Sequence, residues 1–513
     1  MRASHRVVGA VLALVLLVGI SAVGTGGAST GDTKRHLVVF AGDYAVDGTY
    51  AVDGGYAVLC NYAVLNGYAV GCNYAVAHDY AVSLVEAAGG TVANDMLSQT
   101  GVLVVESSNA LFADVMRTYA VVEEAAEEFV WQGVPAGADY AVSHDGSGGG
   151  GPEPSWDPLE PLQWSMMQIQ APEAHAIQAG WREVDVGILD TGIDGLHPDF
   201  KDGPDATGPS NVDCGRGRDF VPDGPGVGNP DPCVDNGFHG THVAGIVAAQ
   251  ANGVGVVGVA PGITLVPVKV CDTAGFCYSG ATAAGITYAG DAQLDVVNMS
   301  FFVDDDTFLG STEFKCANDP EQRAFRRANE RALQYARSRG VTLVAALGNS
   351  DSDLSANSPC EVVPAESAGV IGTMALGPMK QKAGYSSYGN GATDVAAPGG
   401  AGTTGDCMNT VLSTFPTALG AYGCIQGTSM ASPHAAGVTA LIVSQFGTMG
   451  SDGDVKMSPT KVESILQGTA IDQGLSGYDE CFGHGRINAL RAVQHTTSGL
   501  YDATAPFCPE YTE

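Results

Sequence analysis

The chain has 513 residues, 45% of them hydrophobic, with 56 acidic against 23 basic side chains and a formal net charge of −33. That length suffices for two or three domains around a sizeable core. So large an excess of negative charge repels nucleic acid and anionic membrane surfaces, so no nucleic-acid partner is expected.

Arg2 and Arg6 precede an apolar run from Val7 to about Val23, followed by the small residues GTGGA. This is the pattern of an export signal over residues 1–28. No later stretch reaches the ~18 apolar residues of a membrane span. The expectation is a secreted, extracellular protein with no membrane contact after signal cleavage. Twelve cysteines, an even number, suit that compartment. The order of the ten beyond residue 200 suggests neighbours closing short loops: Cys214 with Cys233, Cys271 with Cys277, Cys316 with Cys360, Cys407 with Cys424, and Cys481 with Cys508. Sequence alone leaves the connectivity open.

Residues 29–132 read as a small α+β domain. HLVVF at 36–40 predicts a strand, Leu84–Gly89 a helix, the runs GTVAND and GVLVVES two more strands, and Leu111–Glu128 a second helix, a βαββα-like order. Tyr-Ala-Val recurs inside it with Tyr at 44, 50, 56, 62, 68, 74 and 80, marking an insertion over 43–82. The even period puts each Tyr and its Val on one face of an extended chain, so the copies would pair as strands or coil as a short solenoid. Cys60 and Cys72 occupy matching places in two copies and are candidates for a bridge. Residues 133–161 are rich in Gly, Pro and Ser, with SGGGGPEP at their centre, and read as an exposed linker.

From 162 to 495 strand-like and helix-like runs alternate, the mark of an α/β domain with a mostly parallel sheet. Strands are predicted at Val184–Asp190, Thr264–Val270, Asp295–Ser300, Thr342–Ala346 and Gly369–Met374. Helices are predicted to begin near His239 and after Ser429. Residues 496–513 form a polar tail.

Hydrolysing a peptide bond at neutral pH requires a nucleophile, a base, a group to orient that base, and donors for the oxyanion. VDVGILD ends on Asp190, placing a carboxylate at the C-terminal edge of a parallel sheet, where sites of open α/β folds gather. His239 enters a helix in HGTHVAG. Ser429 starts one in GTSMASPH, where its amide would point at an anion. Meeting at one rim of the sheet, the imidazole and the hydroxyl would lie within hydrogen-bonding reach. His242 makes an HxxH pair with His239, but without a third ligand the pair reads as packing and not as a metal site, as do His434, Asp194 and His197.

DTGID, HGTHVAG and GTSMASPHAAG, in the order Asp, His, Ser, resemble the signature blocks of the subtilases, peptidase family S8. VAALGNS resembles the family's oxyanion segment. The resemblance implies a subtilisin-like three-layer α/β/α domain acting on proteins or peptides. Ser429 would be the nucleophile, His239 the base, Asp190 its orienting group and Asn349 the oxyanion donor beside the Ser429 amide. Residues 36–131 resemble the family's inhibitory propeptide, implying a self-processed zymogen inhibited by its own propeptide; a monomer is expected. Ser300, Phe301 and Phe302 stand where many subtilases have Ser-Leu-Gly, and with Ala346, Leu347 and Gly348 would line the first specificity pocket. Asp304–Asp306 beside them would favour basic substrates. The chemistry needs no cofactor. The family's structural calcium would fall to Asp199 and Asn252, with the carbonyls of Gln250, Val254 and Val256.

Overall fold

The computed structural model describes residues 33–42, 51–53, 56–60, 72–76, 78–134, 157–203, 206–222, 230–303, 319–355, 361–403, 406–451, 453–499, 501–506 and 508. The export signal, the Cys316–Cys360 pair, Asp304–Asp306 and most of the linker lie outside them.

The N-terminal unit contains β1 (Lys34–Phe40), β2 (Ala51–Asp53), β3 (Tyr56–Cys60), β4 (Cys72–Val76), α1 (His78–Ala87), β5 (Gly90–Met96), α2 (Leu97–Thr100), β6 (Val102–Ser107), α3 (Phe112–Arg117), β7 (Val122–Glu127) and β8 (Val130–Gln132). Four of these strands form an antiparallel sheet in the order β5-β6-β1-β7. Leu103, Val105, Phe40 and Val38 pack under Phe112, Leu84 and Val85 to give the unit its own core. The predicted helix over Leu111–Glu128 is instead α3 followed by β7. Ala and Glu in VEEAAE favour a helix, but pairing with β1 buries Ala125 and Ala126, and tertiary packing overrides that propensity.

Among the described residues, three Tyr-Ala-Val copies pair as strands: β2, β3 and β4 form an antiparallel meander whose register sets Tyr56 against Val76, Val58 against Tyr74 and Cys60 against Cys72. The last copy departs from this. Tyr80 and Ala81 lie on α1, with Ala81 buried, so the repeat runs into the helix before residue 82.

The main domain follows with α4 (Trp164–Gln168), α5 (Ala171–His175), β9 (Asp185–Asp190), β10 (Arg218–Asp219), α6 (His239–Ala248), β11 (Thr264–Lys269), β12 (Phe276–Tyr278), α7 (Ser279–Asp291), β13 (Val296–Met299), α8 (Pro320–Ser338), β14 (Thr342–Ala346), β15 (Val370–Leu376), β16 (Val395–Pro398), β17 (Val411–Thr414), β18 (Tyr422–Ile425), α9 (Thr428–Phe446), β19 (Thr448–Met449), β20 (Val455–Lys456), α10 (Pro459–Thr469) and α11 (Ala489–Gln494). Seven strands form one sheet in the order β10-β11-β9-β13-β14-β15-β16, parallel at every pairing. Apart from the short edge strand β10, the strands are buried along their whole length on both faces, so they read as mostly apolar runs instead of alternating. Val186 and Ile188 of β9 pack with α6 and α9 on one side, while Leu189 packs with α7 and α8 on the other. This is the expected three-layer α/β/α domain. Asp319 caps α8 through the amides of Glu321 and Gln322, with Pro320 in the first turn.

Disulfides join Cys214 to Cys233, Cys271 to Cys277, Cys407 to Cys424 and Cys481 to Cys508, four of the expected neighbours. The last ties down the end of the chain, where Asp502 also pairs with Lys380 and Arg486, so the polar tail is held to the domain. The reading of 133–161 as exposed linker runs too far at both ends, because Val134 and Asp157 are buried.

At the end of the sheet opposite the candidate site, Asp295 accepts the amide of Asp185 at 2.9 Å and is pushed up to about 8, chiefly by burial. A carboxyl raised on folding stabilises fully below its unfolded value near 4 and loses that contribution as pH rises through about 8. Asp295→Asn keeps an acceptor and carries no charge. It should therefore raise Tm by several degrees at pH 9 and by little at pH 5; an equal or lower Tm at pH 9 would count against this.

Candidate active site

Asp190 is the last residue of β9, His239 the first of α6 and Ser429 the second of α9, so three separate elements end at one rim of the sheet. His239 Nδ1 lies 2.9 Å from both carboxylate oxygens of Asp190, and the Thr191 amide donates to Asp190 Oδ1 at 2.8 Å. All three candidates are nearly or wholly buried. The expected bond between hydroxyl and imidazole is not made. Ser429 Oγ donates to the Ser300 carbonyl at 3.0 Å, and His239 Nε2 has no hydrogen-bond partner among the described residues.

Asn349 Oδ1 accepts from the amide and the hydroxyl of Thr428, each at 2.9 Å. Those donors fix the side-chain flip, so Nδ2 is left free to donate elsewhere. A Cβ placed on Gly427 would sit 3.4 Å from Asn349 Nδ2 and 3.6 Å from the Ser429 amide. The two donors therefore border one small space, kept open because residue 427 has no side chain.

Several residues that no motif reading singled out support this geometry. Asp235, four positions before His239, is fully buried and accepts from the Thr191 hydroxyl, the amides of Gly237 and Phe238, and both the amide and hydroxyl of Thr241. Five donors hold this carboxylate in place, although burial raises its pKa. It ties the Asp190 turn to the first turn of α6. Under Ser429, Ser432 Oγ donates to Asn298 Oδ1, Asn298 Nδ2 to Ser300 Oγ, and Ser300 Oγ to the Ser429 carbonyl, at 2.7, 2.8 and 2.8 Å.

Of the expected pocket residues, Ser300 touches Ser429, and Phe301 stands 6.2 Å from the Trp131 ring. Phe302, Ala346 and Leu347 are packed into the core, and the Gly348 amide donates to Thr428 Oγ1. His242, His434 and His197 are structural. Burial lowers them to about 3, 4 and 4, and each has a ring nitrogen on a backbone carbonyl. Asp194 accepts from Thr417. No cluster of three or more His, Cys, Asp or Glu suited to a metal occurs among the described residues.

The side chains expected to hold calcium are already engaged within the protein. Asn252 spends its amide oxygen on the Val254 amide and its nitrogen on the carbonyls of Pro198 and Lys201. Gln250 donates its side chain to the Pro261 carbonyl. The amides of Asn252, Gly253 and Val254 converge on Asp157 Oδ1, and the Val256 amide on Asp199 Oδ2. Of the expected side-chain oxygens only Asp199 Oδ1 accepts no hydrogen bond among the described residues, so the side chains by themselves fall far short of the six to eight oxygens Ca²⁺ takes. Asp157 already does the ion's holding work. Thermal unfolding with and without EDTA should superimpose; a fall in Tm that Asp199→Asn abolishes would restore the metal.

The N-terminal unit covers the same rim. β8 pairs antiparallel with β12, Cys277 opposite Trp131, and β12 follows a loop that begins where the amides of Val270 and Cys271 meet the Asp190 carbonyl. Glu123 reaches Arg327 and Arg331 of α8, Glu124 reaches Arg323, and Glu128 Oε1 accepts the Gly280 amide at the start of α7. The part-exposed pairs of Arg323 and Arg327 contribute about 0.2–1 kcal/mol each, whereas Arg331 is buried and also donates to the carbonyls of Phe40 and Thr100. Burying one large aromatic such as Trp131, 1% exposed, contributes about 2–3 kcal/mol, so the β8 strand is an anchor beside Arg331.

Comparison with known proteins agrees with this architecture. Residues 182–485 match the subtilase family of peptidases, S8. Subtilisin from Bacillus pumilus is 33% identical over 333 residues, covering 65% of this chain and 99% of that one. Subtilisin DY from Bacillus licheniformis is 36% identical over 326 residues, covering 64% and 96%. Among solved structures, the epidermin leader peptide processing serine protease from Staphylococcus aureus superposes with a TM-score of 0.63 at 18% identity, covering 91% of this chain and 99% of that one. A lanthipeptide protease gives a TM-score of 0.53 at 24% identity, covering 65% and 93%; both show likeness of fold. The chain belongs to the subtilase family and is a serine endopeptidase.

Proposed function

We propose that the chain is exported as a zymogen and hydrolyses proteins or peptides through Ser429, His239 and Asp190, its N-terminal unit serving as inhibitor until it is cut away. The carrying observation is the β8 strand, laid along β12 beside the Asp190 turn as a substrate would lie. Ser429 attacks the scissile carbonyl and passes its proton to His239, which returns it to the leaving amine. Asp190 holds the Nδ1–H of the imidazole. Asn349 Nδ2 and the Ser429 amide receive the oxyanion in the space left by Gly427. The Ser300 carbonyl holds the hydroxyl in the uncut chain, and catalytic hydrogen bonds commonly tighten only with substrate in place.

Self-cleavage falls in the stretch between Val134 and Asp157, where the sequence is richest in Gly and Pro. N-terminal sequencing of the secreted, casein-hydrolysing form should begin within that stretch. An active form that begins before Phe129, with β8 still attached, contradicts the reading.

A further inference from the structure

The strand that lies in the cleft is constrained at each position by what the cleft wall presents. Trp131 inserts between Phe325 and Phe301, with ring centroids 5.1 and 6.2 Å away, and stacks on Phe129 at 5.7 Å. Its indole N–H finds no acceptor, so the recess selects a ring and not an indole. Gln132 is half-buried, and its side-chain amide donates to the carbonyls of Val134 and Ala274, each at 2.7 Å. At Gly133 the wall closes. A Cβ there would stand 2.4 Å from Cys277 Sγ and 2.9 Å from Trp131 Nε1, inside van der Waals contact.

A clash with a flexible side chain is relieved by rotation, but this sulfur is not free to move. It is bonded to Cys271, and both cysteines are fully buried. The loop between them is held by Asp272 Oδ1, which accepts the amides of Ala274 and Phe276 at 2.9 Å, and by Tyr278 on Asp272 Oδ2 at 3.1 Å. On the loop side Gly275 is also bare: a Cβ there would meet the Val134 carbonyl at 2.3 Å. The Val134 amide donates to the Gly275 carbonyl at 3.2 Å.

We propose that this peptidase selects substrates of the form aromatic-x-Gly-aliphatic, and that the Cys271–Cys277 disulfide is the element that imposes glycine. The inference rests on the reading of β8 as a strand lying where substrate binds. It predicts a selectivity in which the disulfide sulfur is the nearest obstacle: a methyl at the glycine position is excluded sterically, a change commonly worth about 10–200-fold in kcat/KM.

The test uses processed wild-type enzyme and an internally quenched peptide carrying Glu-Phe-Val-Trp-Gln-Gly-Val-Pro-Ala-Gly, the sequence of residues 128–137. Gly→Ala at the position of Gly133 should lower kcat/KM at least about tenfold. Trp→Phe should be tolerated and Trp→Ala should not. In the Cys271→Ala/Cys277→Ala double variant the Gly-to-Ala ratio should collapse towards one. Should that variant fail to fold, the peptides ending at Val134 serve instead as competitive inhibitors of the wild type, with the Ala peptide at least about tenfold weaker. Equal cleavage or equal inhibition by the Gly and Ala peptides, in an enzyme that digests casein, overturns the glycine selectivity while leaving the proteolytic function standing. Failure to hydrolyse casein overturns the function itself.

Discussion

Ser429→Ala is expected to lower kcat by about 10⁶-fold, the loss known for the same substitution in subtilisin, a relative of this chain, and to leave the protein at its full exported length. The two effects share one cause. On the proposed function, the hydroxyl at the start of α9 attacks a carbonyl held beside Asn349, and the first bond it is expected to cut lies in its own chain. A folding defect is not expected, because the Ser429 hydroxyl makes a single bond to the Ser300 carbonyl while the Ser300 hydroxyl continues to hold the Ser429 carbonyl. Activity should vanish with Tm nearly unchanged. Casein cleavage at the parental rate, or loss of the N-terminal unit from the variant, would remove Ser429 from its role.

The second largest effect is expected at Asn349. Asn349→Ala should lower kcat by about 10²–10³-fold with little change in KM, because the oxyanion exists only in the transition state. Asn349→Asp sharpens the test. The carboxylate still accepts both bonds from Thr428 and so preserves the local structure. It replaces the donor facing the oxyanion with a negative charge, and should be at least as inactive as the alanine variant. An aspartate variant near parental activity would show that residue 349 only braces the start of α9.

Much of the main domain was legible because its chemistry sits at junctions the sequence marks sharply. VDVGILD carries the uncharged run VGIL at its centre, as suits a strand buried on both faces, and the switch to DTG locates both its end and Asp190. The helices at His239 and Ser429 announce themselves through small residues that permit close packing. Regions whose structure is decided by distant partners were harder. VEEAAE has the composition of a helix and becomes a strand because β1 offers an open edge on one side, while arginines of α8 receive the carboxylates of Glu123 and Glu124. β8 is three residues long, and only a partner almost 150 positions away gives it a ladder. Asp235 looked like one aspartate among many in an acidic chain; its five donors are visible only once the turn after β9 meets α6. The calcium assignment followed spacing alone. Spacing gives no sign of which way the amides of a Gly-rich loop turn, and Asp157 turns them inward.

The central claim is that a nucleophilic serine at position 429 is activated at this rim. A fluorophosphonate probe on the processed protein, followed by peptide mapping, tests it most directly. The account predicts one modified residue, Ser429, with labelling lost in His239→Ala protein whose N-terminal unit has been removed by added wild-type enzyme. Modification elsewhere, or equal labelling of the His239→Ala protein, would contradict it.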